Sequence, residues 1–561
     1  MGFYVGIDLG TTNSTVTIIR TEDVDDNPLD TLETCPIYQY GDTLRDYKMG
    51  EQCLPSAIFF DIDRKSVYTG IYAKSMYASG DYPMQTVRSV KTRIGGESSV
   101  VVPSIVDPNK VEIFDMVQCS SLFVRTILES LKKQYPKEKV DEDVVVTVPA
   151  AFSDDERVAT RNAVLLGGFK NCTILDEPSA ALLSHINSTI GDIEDEDFDE
   201  DDPSYKLVYD IGGGTLDVSI AEIKMDENAD YEINVKGLSE RMNLGGDDFD
   251  QILGAYFLKE FETTENKISE RSIEDQNRII ARIVSNAEDY KIELNKKIIE
   301  AGENVRKAQR ASINVAFELI DGLYVSGLVL QKGILDDIYQ RYTKRGIGAL
   351  LKPINSALAN AGITKDKIGE VIITGGMSEF YAVREVLRDF FGEDVIIQSV
   401  EDTRTAVSRG AALYHWGLDE DNESMEVKRV RISQRMASNI YLRKDNQFEL
   451  LINEDLEATS GAFDYVVTDD DMTELPIFLY SGNPEADGTN ITKFVPLAGQ
   501  KIPLQHAYKE GQSITLNWDI DKNKVITISI EEPGMPKFTV SRFLSDAAVK
   551  KNVINQYKLN E

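Results

Sequence analysis

Gly6-Ile-Asp8-Leu-Gly10-Thr11-Thr12-Asn13-Ser14 is answered about two hundred residues later by Tyr209-Asp210-Ile-Gly212-Gly213-Gly214-Thr215-Leu-Asp217. Apolar runs flank both, Phe3 to Ile7 and Thr15 to Ile19 around the first, Lys206 to Val208 and Val218 to Ile223 around the second. In register, Asp8 falls on Asp210, Gly10 on Gly212, Thr12 on Gly214, Val16 on Val218 and Ile18 on Ile220. Each copy reads as strand, tight Gly/Thr turn, strand. Such a turn aims several backbone N–H groups one way and makes a concave anion site that bulky side chains would block. Each also sets a carboxylate just before the turn, where it can meet a metal ion carried by a polyphosphate. Two copies facing each other would clamp a nucleotide between two lobes. Two unrelated structural hairpins are the bland alternative, disfavoured by the shared aspartate, glycine and flanking strands. No G-x-x-x-x-G-K-[ST] stretch occurs, and no G-x-G-x-x-G opens a helix after a strand, which argues against a P-loop or dinucleotide-binding fold.

With 561 residues the chain has room for roughly three or four compact units. Its 42% hydrophobic and 28% charged residues are ordinary for a globular protein. A formal charge of −35 argues against nucleic acid or an anionic membrane surface as the main partner. Cys35, Cys53, Cys119 and Cys172 lack metal-ligand spacing and are too sparse for a disulfide framework. His185, His415 and His506 are isolated and read as core or surface residues. The N-terminus runs directly into a strand without a charged leader, and no apolar run approaches the roughly 20 residues of a membrane span. A cytoplasmic location is the expectation.

The first block alternates strands with amphipathic helices. Val144 to Val148 reads as a buried strand ending at Pro149; Ser153 with Glu156 makes a capping box for the next helix, which Gly167-Gly168 stops. Cys172 to Leu175 is a short strand, and Glu177-Pro178 opens a helix, so Glu177 sits at a strand-to-helix junction where sites of α/β folds collect. Helix-end charge complementation is the alternative reading of that glutamate. Nine of the eleven residues from Asp192 to Asp202 are acidic, a solvated surface loop. The second block restarts at Lys206. Leu244-Gly245-Gly246-Asp247-Asp248 precedes a helix near Phe249, a further anion-facing helix start. A long helix covers Ile273 to Ile299, with Glu288, Lys291 and Asn295 on one polar face beside its apolar stripe. The strand Val371 to Thr374 ends in the close-approach turn Gly375-Gly376. After Gly417 comes a polar, acidic stretch, then from about Val427 to Glu532 short alternating strands, a compact antiparallel β-domain of about 100 residues.

Taken together these phrases resemble the seventy-kilodalton heat-shock chaperones of the DnaK type over nearly the whole chain. Val5 to Ser14 is similar to that family's first phosphate motif almost letter for letter, and Tyr209 to Asp217 to its second. Val146-Thr-Val-Pro-Ala150 with Asp176-Glu-Pro-Ser-Ala-Ala181 resembles its connecting segment, and Asn243 to Asp250 a further signature. Asn517 to Ser529 resembles the end of its peptide-binding β-sandwich. The resemblance implies an actin-like, two-lobed α/β ATPase domain over 1–417, an acidic linker over 418–426, an antiparallel β-sandwich over 427–535, and a short tail over 536–561 without a helical lid. It implies ATP and ADP with Mg2+, and K+ as a companion ion. By motif position Asp8 and Asp210 hold magnesium through its waters. Thr11, Thr12 and Asn13, with Gly10, wrap the phosphates from one side; Gly212, Gly213, Gly214, Thr215 and Gly246 do so from the other. Lys91 falls on the catalytic lysine, Glu177 and Asp210 position water, and Thr215 bonds the terminal phosphate. Glu288, Lys291, Asn295, Gly375 and Gly376 belong to the adenosine side.

The chain also departs from the family. Ile292 and Glu379 stand where two arginines sandwich the adenine, so cation–π attraction is lost and weaker nucleotide binding is expected. Pro149 and Arg157 match a relay toward the next domain, but Gly417 to Glu426 replaces the usual leucine-rich linker. That replacement implies peptide affinity nearly indifferent to ADP or ATP. Thr173 and Asp176 replace the basic and amide residues that meet a J-domain, which counts against such a partner. The resulting expectation is a slow ATPase of the chaperone type that binds an unfolded or dedicated protein client and is served by a nucleotide-exchange factor. A binding or scaffold protein with vestigial hydrolysis is the alternative. A small-molecule kinase on the same superfold ranks third, because the chaperone signatures run on into the appended β-domain.

Overall fold

The computed structural model describes residues 2–22, 27–44, 47–96, 98–105, 107, 109–189, 205–225, 231–240, 242–262, 267–302, 304–320, 322–341, 347–393, 395–400, 402–419, 422, 430–433, 439–444, 447–453, 459–482, 494–521, 524–530, 538–539 and 557–560. The acidic stretch 192–202 and linker residues 423–426 lie outside these. No described helix is long and apolar enough to cross a membrane.

The first third carries β1 (Gly2–Leu9), β2 (Asn13–Thr21), β3 (Ala57–Asp61), β4 (Ser66–Thr69), α1 (Ile71–Ser79), β5 (Thr86–Arg88) and α2 (Met116–Gln134). It continues through β6 (Asp143–Val148), α3 (Asp154–Gly167), β7 (Asn171–Asp176) and α4 (Glu177–Thr189). One sheet runs β7-β6-β1-β2, with the short strands Glu33–Thr34 and Leu54–Pro55 added to β2. β7, β6 and β1 are parallel, while β1 and β2 form an antiparallel hairpin. β6 is paired on both sides and covered on both faces, which suits its unbroken Val144-Val145-Val146 run. The Ser153–Glu156 capping box starts α3, and Gly168 ends it in the left-handed conformation.

The second third repeats this plan with β8 (Tyr205–Ile211), β9 (Leu216–Met225), β10 (Tyr231–Leu238), α5 (Gly246–Phe261) and α6 (Ile273–Ile299). β11 (Ile368–Thr374), α7 (Tyr381–Phe391), β12 (Ile396–Ser399) and α8 (Ala406–Gly417) complete it. Its sheet runs β12-β11-β8-β9-β10, parallel from β12 to β8 and antiparallel from β8 to β10. The two hairpins are therefore equivalent. Asp8 lies beside Thr147 of β6 and opposite Thr15, and Asp210 lies beside Thr374 of β11 and opposite Asp217. α4 and α8 fill the space between the sheets, where Val145, Ala180, Ile186, Val208, Ile372 and Ala411 share one buried cluster.

The β-domain comprises β13 (Val430–Ser433), β14 (Asn439–Lys444), β15 (Gln447–Ile452), β16 (Ser460–Val466), β17 (Met472–Gly482), β18 (Phe494–Tyr508), β19 (Ser513–Ile520), β20 (Ile526–Ile530) and β21 (Phe538–Thr539), with one exception to the sequence reading. Two antiparallel sheets, β15-β14-β17-β18 and β16-β19-β20-β21, share a core that includes Leu442, Leu479, Leu516 and Ile528. The exception is β13, which pairs parallel with β10 as the sixth strand of the second α/β sheet. The alternation Val430-Arg-Ile-Ser433 fits either place, and the open edge of β10 decides between them. Ile432 packs against the cluster between the sheets. Residues 430–433, expected in the β-domain, lie instead at the edge of the second α/β sheet. The linker's start is also held: buried Asn422 donates to the Tyr4 hydroxyl (2.8 Å) and the Trp416 carbonyl (2.9 Å). The Tyr4 hydroxyl in turn donates to Asp419 (2.9 Å).

A carboxylate at Ile432 would have to be buried beside that cluster or leave the sheet. In Ile432→Asp the β10 amides paired with β13, Ile233 among them, are expected to exchange with deuterium at least tenfold faster than in the wild type. Unchanged exchange would mean that β13 contributes nothing to that edge.

Candidate functional site

The hairpin turns of β1–β2 and β8–β9 meet tip to tip. Turn carbonyls are engaged by protein donors: Ser56 donates to Gly10 (2.7 Å, hydroxyl) and Thr12 (2.8 Å, amide), Gly246 N–H to Gly212 (3.1 Å) and Asp247 N–H to Gly213 (2.7 Å). What an anion meets there is therefore mainly N–H. Gly213 is obligatory: a Cβ on it would collide with the Thr12 hydroxyl, and that hydroxyl is itself buried without a hydrogen-bond partner. Thr11 and Thr92 crowd Gly214 in the same way. Across the gap, the Ser89 hydroxyl donates to Asp247 (3.0 Å), tying the loop that carries Lys91 to the start of α5.

Below the turns lies a surplus of buried negative charge. Lys91, in the short helical turn Lys91–Arg93, is ion-paired with Glu177 at the start of α4 and stands 4.0 Å from Asp8. Burial pulls the lysine down, but attraction to Glu177, Asp8 and Asp210 outweighs it, so it stays an ammonium. Burial pushes the Asp8 carboxyl up, with Lys91 and the Thr147 hydroxyl (3.4 Å) opposing. Burial pushes Glu177 up to about 7 against the pull of Lys91, with Asp8 and Asp217 adding repulsion. Asp210 is raised well above the usual carboxylate range, by burial and then by repulsion from Glu177, Asp217 and Asp8. Asp217 belongs electrostatically with this group although its motif position alone gave it no role; its cross-strand pairing with Asp210 is the signal that could have found it. The Thr374 hydroxyl beside Asp210 is buried without a partner. Gly375, at φ 85°, backs onto the Asp210 carboxylate and the Ile211 carbonyl, leaving no space for a side chain. Gly376 follows it at the start of a helical turn.

The structure brings the polar face of α6 toward the same cleft. Lys291 is buried, bonded to Asp250 (2.6 Å) and the Gly246 carbonyl (3.2 Å). Glu288 accepts from Lys74 of α1 (2.8 Å), and burial, opposed by Lys74 and Arg88, leaves its pKa lowered. Asn295 donates to the Glu379 carbonyl (2.9 Å) and accepts from the Tyr381 N–H (2.9 Å). Asp250 and Lys74 are partners that motif reading did not single out. Ile292 is 56% exposed, and the Glu379 carboxylate accepts from Thr403 (2.9 Å), so neither stacking arginine has a substitute at its position. α1 and α6 touch across the cleft through Arg278–Asp81 (2.7 Å) and Arg282 to the Ser79 carbonyl (3.1 Å). Thr215 is buried in its turn, where its carbonyl accepts from Gly212 N–H (3.0 Å), and Asn13 opens β2, exposed.

A second charged group lies at the end of β7. Asp176 is held between Arg157 (2.6 Å) and Lys524 of the β-domain (2.6 Å). Arg157 also donates to the carbonyls of Phe152 (3.1 Å) and Ala150 (3.2 Å), and Ile526 N–H reaches Asp154 (3.4 Å). Burial raises the Asp176 carboxyl, yet the two cations win and leave it lowered. Burial brings Lys524 down to about 8 despite Asp176.

Comparison with known proteins agrees with this geometry. A model of the Hsp70 protein family matches residues 4–540. The proteins named chaperone protein DnaK from Thermosipho melanesiensis and Thermosipho africanus are each 25% identical to this chain, over 544 and 542 residues. These alignments cover 95% of the chain and 79% of each relative.

The raised carboxylates fix the sign of a pH effect. Groups bound more tightly to protons when folded contribute stability below the unfolded carboxylate pKa, and lose it as pH rises through their raised values. Asp210→Asn removes one of these raised carboxylates. It is expected to be more stable than wild type near pH 8, by on the order of 1–3 kcal/mol. Thermal unfolding across pH should show the gain fading toward about pH 4. A variant less stable than wild type near pH 8 would contradict the charge surplus.

Proposed function

The chain belongs to the Hsp70 family, and from that we propose that its α/β part binds Mg-ATP where the two hairpin turns meet and hydrolyses it slowly. The β-domain, in this reading, engages a protein client. The supporting observation is the meeting of the two turns over one lysine, the buried carboxylates of Glu177, Asp210 and Asp217, and the partly buried one of Asp8. Among the described residues no three His, Cys, Asp or Glu side chains are close enough to hold a bare metal ion. The surplus charge of Asp8 and Asp210, with the orphaned Thr374 hydroxyl, suits a hydrated Mg2+ held through its waters, with K+ as further counter-charge. The nucleotide when bound supplies the phosphoryl group and the cation. Thr11, Thr12, Asn13, Gly10, Gly212 to Thr215 and Gly246 would hold its phosphates.

Lys91 and Glu177 act as a pair. An ammonium drawn toward phosphate charge frees its carboxylate, and a carboxylate near pKa 7 can take a proton from attacking water. Water oxygen then bonds to the terminal phosphorus, the bond to the ADP oxygen breaks, and Thr215 and Lys91 stabilise the spreading charge. On the adenosine side Lys291, Glu288 and Asn295 form a scaffold already engaged with protein partners, and Gly375 and Gly376 allow close approach. The contact of Gly213 with Thr12 favours a second reading, a nucleotide-dependent scaffold whose turns rarely part. Turnover separates the two. The docking of β13 and of Lys524 supports coupling between a nucleotide unit (1–417 with 430–433) and the β-domain, against the indifference that the acidic linker suggested.

Lys91→Ala is expected to lose at least a hundredfold in ATP turnover while its dissociation constant for ATP, by calorimetry, changes only a few-fold. Hydrolysis at the wild-type rate would remove the lysine from the mechanism. For coupling, anisotropy of a labelled apolar peptide should differ about tenfold in affinity between ADP and ATP, roughly 1.4 kcal/mol, and Lys524→Ala should shrink that difference. Equal affinities in the wild type would return the protein to the scaffold reading.

A further inference from the structure

β4 is an edge strand whose four residues, Ser66 to Thr69, are all buried. β3 and then β5 lie on one side of it. An uncovered edge of that kind invites foreign strands. Its cover is β22 (Lys558–Leu559), which pairs parallel to it, Lys558 with Ser66 and Leu559 with Val67.

The fit is side-chain specific. Tyr557 is buried edge-on against Phe114 (5.8 Å between rings), its hydroxyl bonded to Glu112 and its carbonyl accepting from Arg125 (3.0 Å). Leu559 is buried, and Lys558 between them is exposed, the alternation a strand demands. Asn560 ends the ladder: its N–H donates to the Val67 carbonyl (2.8 Å), and its carboxamide accepts from Thr69 N–H (3.0 Å). The same amide donates to the buried hydroxyls of Thr69 (3.2 Å) and Thr126 (3.3 Å). Asn560 has φ 53°, a left-handed conformation that asparagine tolerates better than most residues.

We propose that the β4 edge is a receptor for an extended peptide of the pattern Tyr-x-Leu-Asn, filled in cis by residues 557–560. The segment is then a clasp that returns the chain from the β-domain to the first α/β sheet's neighbour. Residues 540–556 can span at most about 60 Å, and a tether of this length gives an effective concentration on the order of 1 mM. A dissociation constant of about 0.1 mM for the free peptide would leave the cis site roughly nine-tenths filled.

The test uses the chain shortened after residue 540 and a fluorescein-labelled peptide of residues 550–561. The peptide is expected to bind the shortened chain with a dissociation constant of about 0.1 mM or below and the full chain at least tenfold more weakly. Peptides carrying Tyr557→Ala or Asn560→Ala should bind at least tenfold more weakly than the native one. No binding to the shortened chain, or equal binding to both chains, overturns the proposal. So does a dimer of the full chain that disappears on shortening, because the clasp would then join two copies. Should the shortened chain fail to fold, hydrogen exchange decides in full-length Asn560→Ala: the Thr69 amide should exchange at least tenfold faster, and unchanged protection overturns the clasp.

Discussion

Charge held out of water at the ends of two sheets is the constraint on which the rest of the molecule depends. Asp8 and Asp210 end strands that are hydrogen-bonded on both sides, Glu177 is fixed by the first turn of α4, and Asp217 returns on the partner strand of Asp210. A single lysine lies among them. Four carboxylates cannot remain ionised there without a cation or extra protons, and isolated burial of such charge is costly enough to move pKa values by units. The two sheets and the packed helices α4 and α8 between them fix where these groups lie. The cleft is thus a place of concentrated like charge, an arrangement common at functional sites.

Much of this was readable from residue order. The repeated Asp-x-Gly turn specified both hairpins, because only a tight turn between two apolar runs accommodates it. The 27-residue α6 followed from its stripe of Ile279, Ile283, Ala287, Leu294 and Ile298, all buried. The Ser153–Glu156 box located α3. Pairings were less legible. The run Val430-Arg-Ile-Ser433 has a period of two, which states that it is a strand but not whose neighbour it is. Likewise Phe494–Tyr508 is interrupted by Pro496, Gly499 and Pro503, so its pattern reads as loop, yet it pairs along β17. In the site, the motif residues were found while their anchors, Lys74, Asp250 and Lys524, were not. Those come from distant segments, and only the folded chain sets them beside their partners.

Asp176 shows how one side chain can serve two elements. It lies directly before Glu177, so the group that meets Lys524 and the group that meets Lys91 are adjacent in the chain at one strand-to-helix junction. A shift of α4 by a fraction of an ångström moves both. Asp176 stands where the family has a residue that meets a J-domain; held between Arg157 and Lys524, it makes an internal contact instead.

The strand that covers β4 also sets an order of events during synthesis. Thr69 and Asn560, which bond to each other, are 491 residues apart. At about 5–20 residues per second, roughly 25–100 s pass between the emergence of one and the other from the ribosome. During that interval the β3–β4 edge, made early and lined with buried residues, has no native neighbour. A nascent chain of this protein therefore has a long window in which one of its early-made strands needs protection.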